Sequence, residues 1–205
     1  MAGAPLARDI VTAGSVVLRE PADEVPDSML GTQELRDLVQ SMIDTMRAAP
    51  GVGLAAPQIG VPLQIIVLED KPEYLAAVAP ELAEQQQRMP FEALVVINPR
   101  LRTLSDAGAR FYEGCLSVPG YQALVERYIS VEVEGLTVEG LPVRLQANGW
   151  QARILQHECD HLAGVLYVDR MLSRSFAARG AAGRLPQGVP APGACRCCHP
   201  IDRAG

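Results

Sequence analysis

The spacing of apolar residues predicts an amphipathic helix near the start of the chain. From Thr32 to Ala49, apolar side chains recur every three or four positions, which places them along one helical face. Thr32 is a suitable N-cap, and the Pro50-Gly51 pair that follows is a helix stop signal. The apolar face is therefore expected to pack into the core.

Patterns typical of strands follow this helix. Runs rich in β-branched residues at Leu63–Leu68 and Leu94–Ile97 are bounded by proline or glycine and predict buried strands. The segments Ser130–Val133 and Leu141–Leu145 flank a Glu-Gly turn, which indicates a β-hairpin. The polar stretch 72–90 predicts a surface insertion with some helix.

A second helix is predicted to begin after Asn148, a suitable N-cap, and to end at Gly164. Four residues lie on one face of this helix, because positions three or four apart are neighbours there: Trp150, Ile154, His157 and His161. Both histidines therefore point in the same direction.

Together these elements predict an α+β fold, with antiparallel strands around a central helix that carries the two histidines. The chain has 205 residues, which is enough for one well-buried core. We therefore expect a single domain over residues 1–176. Residues 177–205 are rich in Ala, Gly and Pro and have no apolar period, which predicts a disordered tail.

Composition narrows the functional classes. The net charge of −6 argues against a nucleic-acid-binding surface, and the absence of a run of about 18 apolar residues predicts no membrane span. The first twenty residues lack the basic start and apolar block of a secretory signal. Five cysteines, three of them crowded near the end, predict free thiols in a reducing compartment rather than a disulfide framework.

The most informative motif is the run His157-Glu158-Cys159-Asp160-His161. Two histidines four apart on a helix can reach one metal ion, and the glutamate beside the first can meet a metal-bound water without being a ligand. The alternative for so short a run is a solvated helix face with incidental histidines.

A catalytic metal site usually has three protein ligands, so a third is needed. The long metalloprotease pattern places a histidine where this chain has Tyr167, and another pattern needs a downstream glutamate, but none follows Phe176. Upstream, Cys115 is the best candidate, since a thiolate is a soft ligand suited to Fe or Zn. A buried cysteine that acts only as a small apolar residue is the alternative.

Three segments together resemble peptide deformylases of type 1. They are Gly51–Gln58 (GVGLAAPQ), Glu113–Ser117 (EGCLS) and Gln156–His161 (QHECDH), in the order that family has them. Each motif is short and could occur by chance, but a chance match to all three in one chain is very improbable. The resemblance covers residues 8–176. The 72–90 insertion and the residues Gly149–Arg153 resemble the plant organellar and related bacterial branch.

The resemblance implies a metallohydrolase that removes the N-formyl group from the formyl-methionine of nascent polypeptides and releases formate. It implies that Cys115, His157 and His161 bind one divalent metal, typically Fe(II), with Zn, Ni or Co as replacements. Glu158 corresponds to the catalytic carboxylate. Two alternatives are an endopeptidase that uses the same helix, which Tyr167 argues against, and a family member without activity, which the intact motifs argue against.

Further residues are assigned to the substrate. The resemblance implies that Gln58 and the backbone N–H of Leu116 stabilise the oxyanion, and that the backbone of Gly53 pairs with the substrate peptide. A pocket for the methionine side chain should be apolar and close to the second helix. Our candidates for that pocket are Val52, Phe111 and Trp150.

Neighbouring residues have supporting roles in this hypothesis. Arg153 is expected to pair with Glu113 and so tie the cysteine loop to the helix. Asp160 is a candidate to orient a histidine, whereas Cys159 is expected only to pack. The run Cys195–His199 resembles a metal knuckle superficially, but without a second cluster it is not expected to bind metal.

The resemblance also implies partners and a compartment. The partners are N-formyl-methionyl nascent peptides, with the ribosome exit region and a second copy in a homodimer as further expectations. No nucleic acid and no membrane is expected. Because formylated chains are made in bacteria, mitochondria and plastids, we expect a mitochondrion or plastid, with the bacterial cytoplasm as the alternative.

Overall fold

The computed structural model describes residues 7–181 and 187–188. Antiparallel strands surround one long helix, which confirms the predicted α+β fold. The helices are α1 (Gln33–Ala48), α2 (Pro72–Ala76), α3 (Pro80–Gln85), α4 (Gly149–Leu162) and α5 (Tyr167–Arg170). The strands are β1 (Gly53–Ala55), β2 (Ile65–Asp70), β3 (Phe91–Thr103), β4 (Gly108–Cys115), β5 (Val118–Tyr128), β6 (Ser130–Leu136), β7 (Pro142–Asn148) and β8 (Ala177–Ala178).

Helix α1 forms as its apolar spacing predicts. The Thr32 hydroxyl accepts a hydrogen bond from the N–H of Leu35 at 3.2 Å, which is the expected N-cap. The helix packs against β1 and β2. Its buried apolar face consists of Leu35, Leu38, Val39, Met42 and Met46.

The larger sheet has the strand order β1-β2-β3-β6-β7, and every neighbouring pair is antiparallel. The run Leu94–Ile97 lies within β3, which is much longer than predicted, and the run Leu63–Leu68 overlaps β2, which begins two residues later, at Ile65. The predicted hairpin is β6–β7, with Leu136 opposite Pro142. Strand β1 has only three residues and lies at the edge of this sheet, where it borders the functional site.

Strands β4 and β5 form a second hairpin that the sequence did not reveal. They pair from Gly108–Tyr128 to Cys115–Val118, so the turn between them presents Cys115. The buried face of this hairpin includes Glu113 and Arg127, and these charges interrupt the alternation of apolar residues by which a strand is recognised.

The structure differs from the predicted domain boundary at residue 176. Ala177 and Ala178 form β8, which pairs with Gln122 and Tyr121 of β5. The ring of Phe176 stacks on Tyr121 with 5.0 Å between centroids. The first residues of the predicted tail therefore belong to the smaller sheet. The cysteine-rich run at 195–199 lies outside the described residues.

The 72–90 insertion contains α2 and α3, which confirms the predicted helical content. Its end is held firmly, because the Arg88 guanidinium donates two hydrogen bonds of 2.7 and 2.8 Å to the buried Asp70 carboxylate. The same guanidinium lies 4.8 Å from the ring centre of Trp150. The insertion thus contacts the first turn of α4.

Helix α4 passes through the interior and touches strands of both sheets. Asn148 occupies the N-cap position as predicted, but its side chain makes no capping hydrogen bond. Gly164 follows the helix with φ +73°, and a Cβ there would lie 2.6 Å from the carbonyl oxygen of Arg19. None of the helices in residues 7–181 combines the length and apolar character needed to cross a bilayer.

Candidate metal centre

A cavity of about 200 Å³ lies between β1, the β4–β5 turn and α4. All three sequence motifs contribute to its wall, together with the loop that precedes β1. Segments far apart in the sequence therefore converge at one place, and the cavity contains the chemically reactive groups that the motifs predicted.

The three predicted metal ligands lie together: Cys115 and His157 line the cavity, and the buried His161 lies next to them. The Sγ atom of Cys115 is 3.2 Å from Nε2 of His161, and all three residues offer ligand atoms within 4.8 Å of one another. His157 and His161 lie one turn apart on α4, with 5.0 Å between ring centroids. Cys115 reaches them because β4 ends beside this turn of the helix.

Glu113 orients the first histidine. Its Oε2 atom is 3.0 Å from Nδ1 of His157, which leaves Nε2 of that ring to face the cysteine and the second histidine. Burial would lower the pKa of His157, but hydrogen bonds to Cys115 and Glu113 raise it well above the usual range. Burial and the nearby His157 hold the pKa of His161 well below its usual range.

Two buried arginines neutralise Glu113. Arg127 donates two hydrogen bonds of 3.0 Å to its carboxylate, and Arg153 pairs with it as the sequence predicted. Burial opposes the charged carboxylate, but Arg127 foremost, with His157 and Arg153, holds the pKa of Glu113 well below its usual range. Glu113 is therefore a stable anion that contacts Nδ1 of His157.

Asp160 does not orient a histidine. Its carboxylate pairs with Arg127 and accepts two hydrogen bonds of 2.7 and 2.8 Å from Arg170. Arg127 thus bridges Glu113 of β4 and Asp160 of α4. The residue that contacts a histidine is Glu113 and not Asp160. Cys159, on another side of α4, packs against the core as expected.

The Glu158 carboxylate is buried in the wall of the cavity. Only 4% of it is exposed, and its Oε2 atom has no hydrogen-bond partner among the described residues. Burial raises the pKa of Glu158 to about 7, which is suited to proton transfer at neutral pH. A Cβ on Gly53 would overlap Oε1 of this carboxylate and lie 2.8 Å from its Cδ. Only glycine lets strand β1 approach it so closely.

Gln58 points its amide group at the same place. Its Oε1 accepts a hydrogen bond of 2.9 Å from the N–H of Ala55, which determines the orientation of the amide. Its Nε2 lies 3.5 Å from Sγ of Cys115 and 3.2 Å from Oγ of Ser117. Ser117 was not among the predicted site residues, although it lies within the second motif.

The predicted substrate-binding residues divide into two groups. Val52, Gly53, Leu116 and Trp150 line the cavity. Phe111 does not, because the Arg153 guanidinium lies 5.2 Å from its ring centre and Phe111 instead lines a smaller adjoining cavity. The wall that Phe111 was expected to supply includes Ile154, one turn after Trp150 on α4. Its helical spacing from Trp150 and His157 was the signal that could have identified it.

The donor set fits a divalent metal ion. One thiol and two imidazoles converge, and the ring of His157 is oriented from behind by a carboxylate, as is usual for metal-binding histidines. Thiolate and imidazole together suit Fe or Zn, whereas Mg and Ca prefer oxygen ligands. Three protein ligands leave a coordination position for water or substrate.

Comparisons with known proteins agree with this geometry. The family model described as polypeptide deformylase matches residues 7–176. Over 168 residues, 82% of this chain, the sequence is 52% identical to chloroplastic peptide deformylase 1A of Solanum lycopersicum and 44% identical to mitochondrial peptide deformylase of Homo sapiens. These alignments cover 61% of the tomato and 69% of the human protein, so the chain spans less than two thirds of the tomato relative. A Met-Ala-Ser-bound class I type b peptide deformylase from Acinetobacter baumannii superposes with a TM-score of 0.74 at 33% identity, over 82% of this chain and 100% of that one.

Proposed function

The chain belongs to the polypeptide deformylase family, and from that premise we infer that it hydrolyses the formyl group from N-terminal formyl-methionine and releases formate. The observation that carries this proposal is the buried cluster of Cys115, His157 and His161 with Glu158 beside it. These residues would hold one divalent metal ion, and when bound it supplies Lewis acidity and a water of lowered pKa.

The residues of the chain divide the remaining work. Glu158 accepts the proton of the attacking water and then delivers it to the departing α-amine, a role that matches its pKa of about 7. As the formyl carbon becomes tetrahedral, the amide of Gln58 and the N–H of Leu116 donate hydrogen bonds to its oxygen. One such oxyanion donor is worth about 3–4 kcal/mol in a serine protease.

The substrate enters along the edge of the larger sheet. Among the described strands, β1 pairs only with β2, so the backbone of Gly53 is available to pair with an extended peptide on its other side. The methionine side chain occupies the apolar part of the cavity formed by Val52, Ile154 and Trp150. Met-Ala-Ser in the Acinetobacter relative is a chemical precedent for the product.

The test of this proposal separates chemistry from folding and metal content. Protein purified without oxygen and loaded with Fe(II) should release formate from formyl-Met-Ala-Ser. The Glu158→Gln variant should lose about 100-fold or more in kcat and keep its metal. The control is Glu139→Gln, since this glutamate is exposed on the β6–β7 turn. Full activity in Glu158→Gln would contradict the assigned mechanism, and no formate release by the parent protein would contradict the function.

We propose Fe(II) as the resident metal, with Zn, Ni or Co able to replace it, because a thiolate and two imidazoles suit these ions. An open ferrous site bound by a thiolate is expected to be sensitive to oxygen. The iron form should therefore lose activity in air faster than the zinc form. Equal half-lives, or zinc alone in elemental analysis of protein isolated without oxygen, would contradict the assignment.

We also propose a mitochondrial or plastid location. Relatives named chloroplastic and mitochondrial support it, whereas similarity to Streptomyces deformylases keeps the bacterial cytoplasm as the alternative. Cell fractionation with immunodetection decides between them, since co-purification with an organelle marker is expected. The ribosome exit region and homodimer formation stay predictions of the family resemblance.

A further inference from the structure

The strand β8 brings one arginine to the mouth of the cavity. Of the fifteen described residues that line the cavity, only Pro50 and Arg179 are exposed, so these two mark its opening to solvent. Arg179 directly follows β8, in the part of the chain that the sequence predicted to be a disordered tail. Nothing in the three motifs signals its presence there.

Arg179 is held in place by backbone contacts. Its N–H donates to the carbonyl oxygen of Gly120 at 2.9 Å, next to the two residue pairs that join β8 to β5. Its guanidinium lies against Gly114, where a Cβ would be 3.1 Å from Nη2 and 3.5 Å from Nε. The charged group is thus seated beside the residue that precedes the cysteine of the site.

The guanidinium of Arg179 has no carboxylate partner among the described residues. The other carboxylate and guanidinium side chains of the cavity wall are buried: Glu113, Arg153 and Glu158. Glu113 is neutralised by Arg153 and Arg127. None of the ion pairs formed among residues 7–181 and 187–188 includes Arg179. A cation at the mouth of a cavity, in a chain of net charge −6, is an attractive site for a carboxylate.

We propose that Arg179 is a specificity-determining residue that binds a carboxylate on the substrate beyond its formyl-methionine. This inference rests on the proposed function. In this proposal the formyl group lies at the metal ligands and the methionine side chain lies in the apolar part of the cavity. The substrate residues that follow the methionine then extend to solvent through the mouth between Pro50 and Arg179. The carboxylate is either an acidic side chain at the second or third residue, or the free C-terminus of a short peptide.

The test uses matched substrates with Fe(II)-loaded protein. Formyl-Met-Glu-Ser-amide is compared with formyl-Met-Gln-Ser-amide, and formyl-Met-Ala-Glu-amide with formyl-Met-Ala-Gln-amide. Formyl-Met-Ala-Ser as free acid and as amide reports on the terminal carboxylate separately. The parent protein should favour the carboxylate member of at least one pair by about two- to fivefold in kcat/KM, the range expected for an exposed ion pair. This preference should appear in KM and decline at high salt.

Variants of Arg179 test whether this residue causes the preference for a carboxylate. In Arg179→Gln the preference should fall to a ratio near one, Arg179→Glu should invert it, and Arg179→Lys should keep most of it. The control is Arg174→Gln, because Arg174 is an exposed arginine on the same segment that does not line the cavity. Equal ratios in the parent protein and Arg179→Gln would overturn the inference. If the parent protein failed to cleave even formyl-Met-Ala-Ser-amide, which has no carboxylate, the proposed function itself would fail.

Discussion

The buried arginine between β5 and α4 allows a quantitative prediction about stability. Arg127 is 5% exposed and carries three hydrogen bonds to carboxylates, two to Glu113 and one to Asp160. Replacing it with methionine keeps much of its volume and removes the charge. Both acids then lose a partner inside the protein, and removing one partner of a buried ion pair costs about 3–5 kcal/mol.

The structure favours the lower end of that range. Glu113 keeps Arg153 and Asp160 keeps Arg170, so neither carboxylate is left without a cation. We therefore expect Arg127→Met to lower the free energy of unfolding by about 3 kcal/mol. For a domain of this size, that corresponds to a fall in Tm of about 6–12 °C.

Urea unfolding followed by circular dichroism measures the effect, with Arg36→Met as the control. Arg36 pairs with Glu139 at 3.7 Å on the surface, where both side chains are about half exposed. Its removal should cost less than about 1 kcal/mol. A loss of similar size in both variants would refute the reasoning. Adding Glu113→Gln to Arg127→Met should cost less than the sum of the single changes, because the two residues interact.

Two further predictions concern the close contact between Gly53 and Glu158 and the ionisation of Glu132. Gly53→Ala should lower kcat about 100-fold, because the added Cβ displaces the Glu158 carboxylate; a kcat close to that of the parent protein would show that the carboxylate has room to move. Glu132 has its pKa lowered to about 2, mainly by its hydrogen bond with Arg144. Its contribution to stability is therefore present above about pH 4.5 and lost as pH falls towards 2. In urea unfolding, the loss of unfolding free energy caused by Glu132→Gln should shrink over that pH range. A loss of unfolding free energy that did not change with pH would count against the Glu132–Arg144 ion pair as its cause.

The sequence predicted the metal cluster because the chemistry needs few residues at defined spacing. Two histidines four apart on a helix determine their own geometry, and a cysteine between glycine and a turn is conspicuous. The same reasoning found the Glu113–Arg153 pair. It failed for Phe111, because the position of that ring depends on Arg153, which comes from another element and covers it.

The parts of the fold that were missed share a physical cause. Strand β1 is three residues of Gly, Leu and Ala, which have little preference for a strand. Strands β4 and β5 bury charged residues that only their mutual pairing makes tolerable. Strand β8 forms from two alanines because an exposed edge of β5 is available. Such features depend on partners distant in sequence, so local patterns do not reveal them.

The contact between Arg88 and Trp150 connects the 72–90 insertion to the wall of the cavity. The Trp150 indole, which lines the cavity, lies against the guanidinium of Arg88, 62 positions earlier in the sequence, and this guanidinium is hydrogen-bonded to Asp70. Relatives that differ in this excursion would support the indole differently while keeping all three motifs unchanged. An inhibitor that reaches this aromatic surface would therefore discriminate between enzymes whose reactive centres are identical.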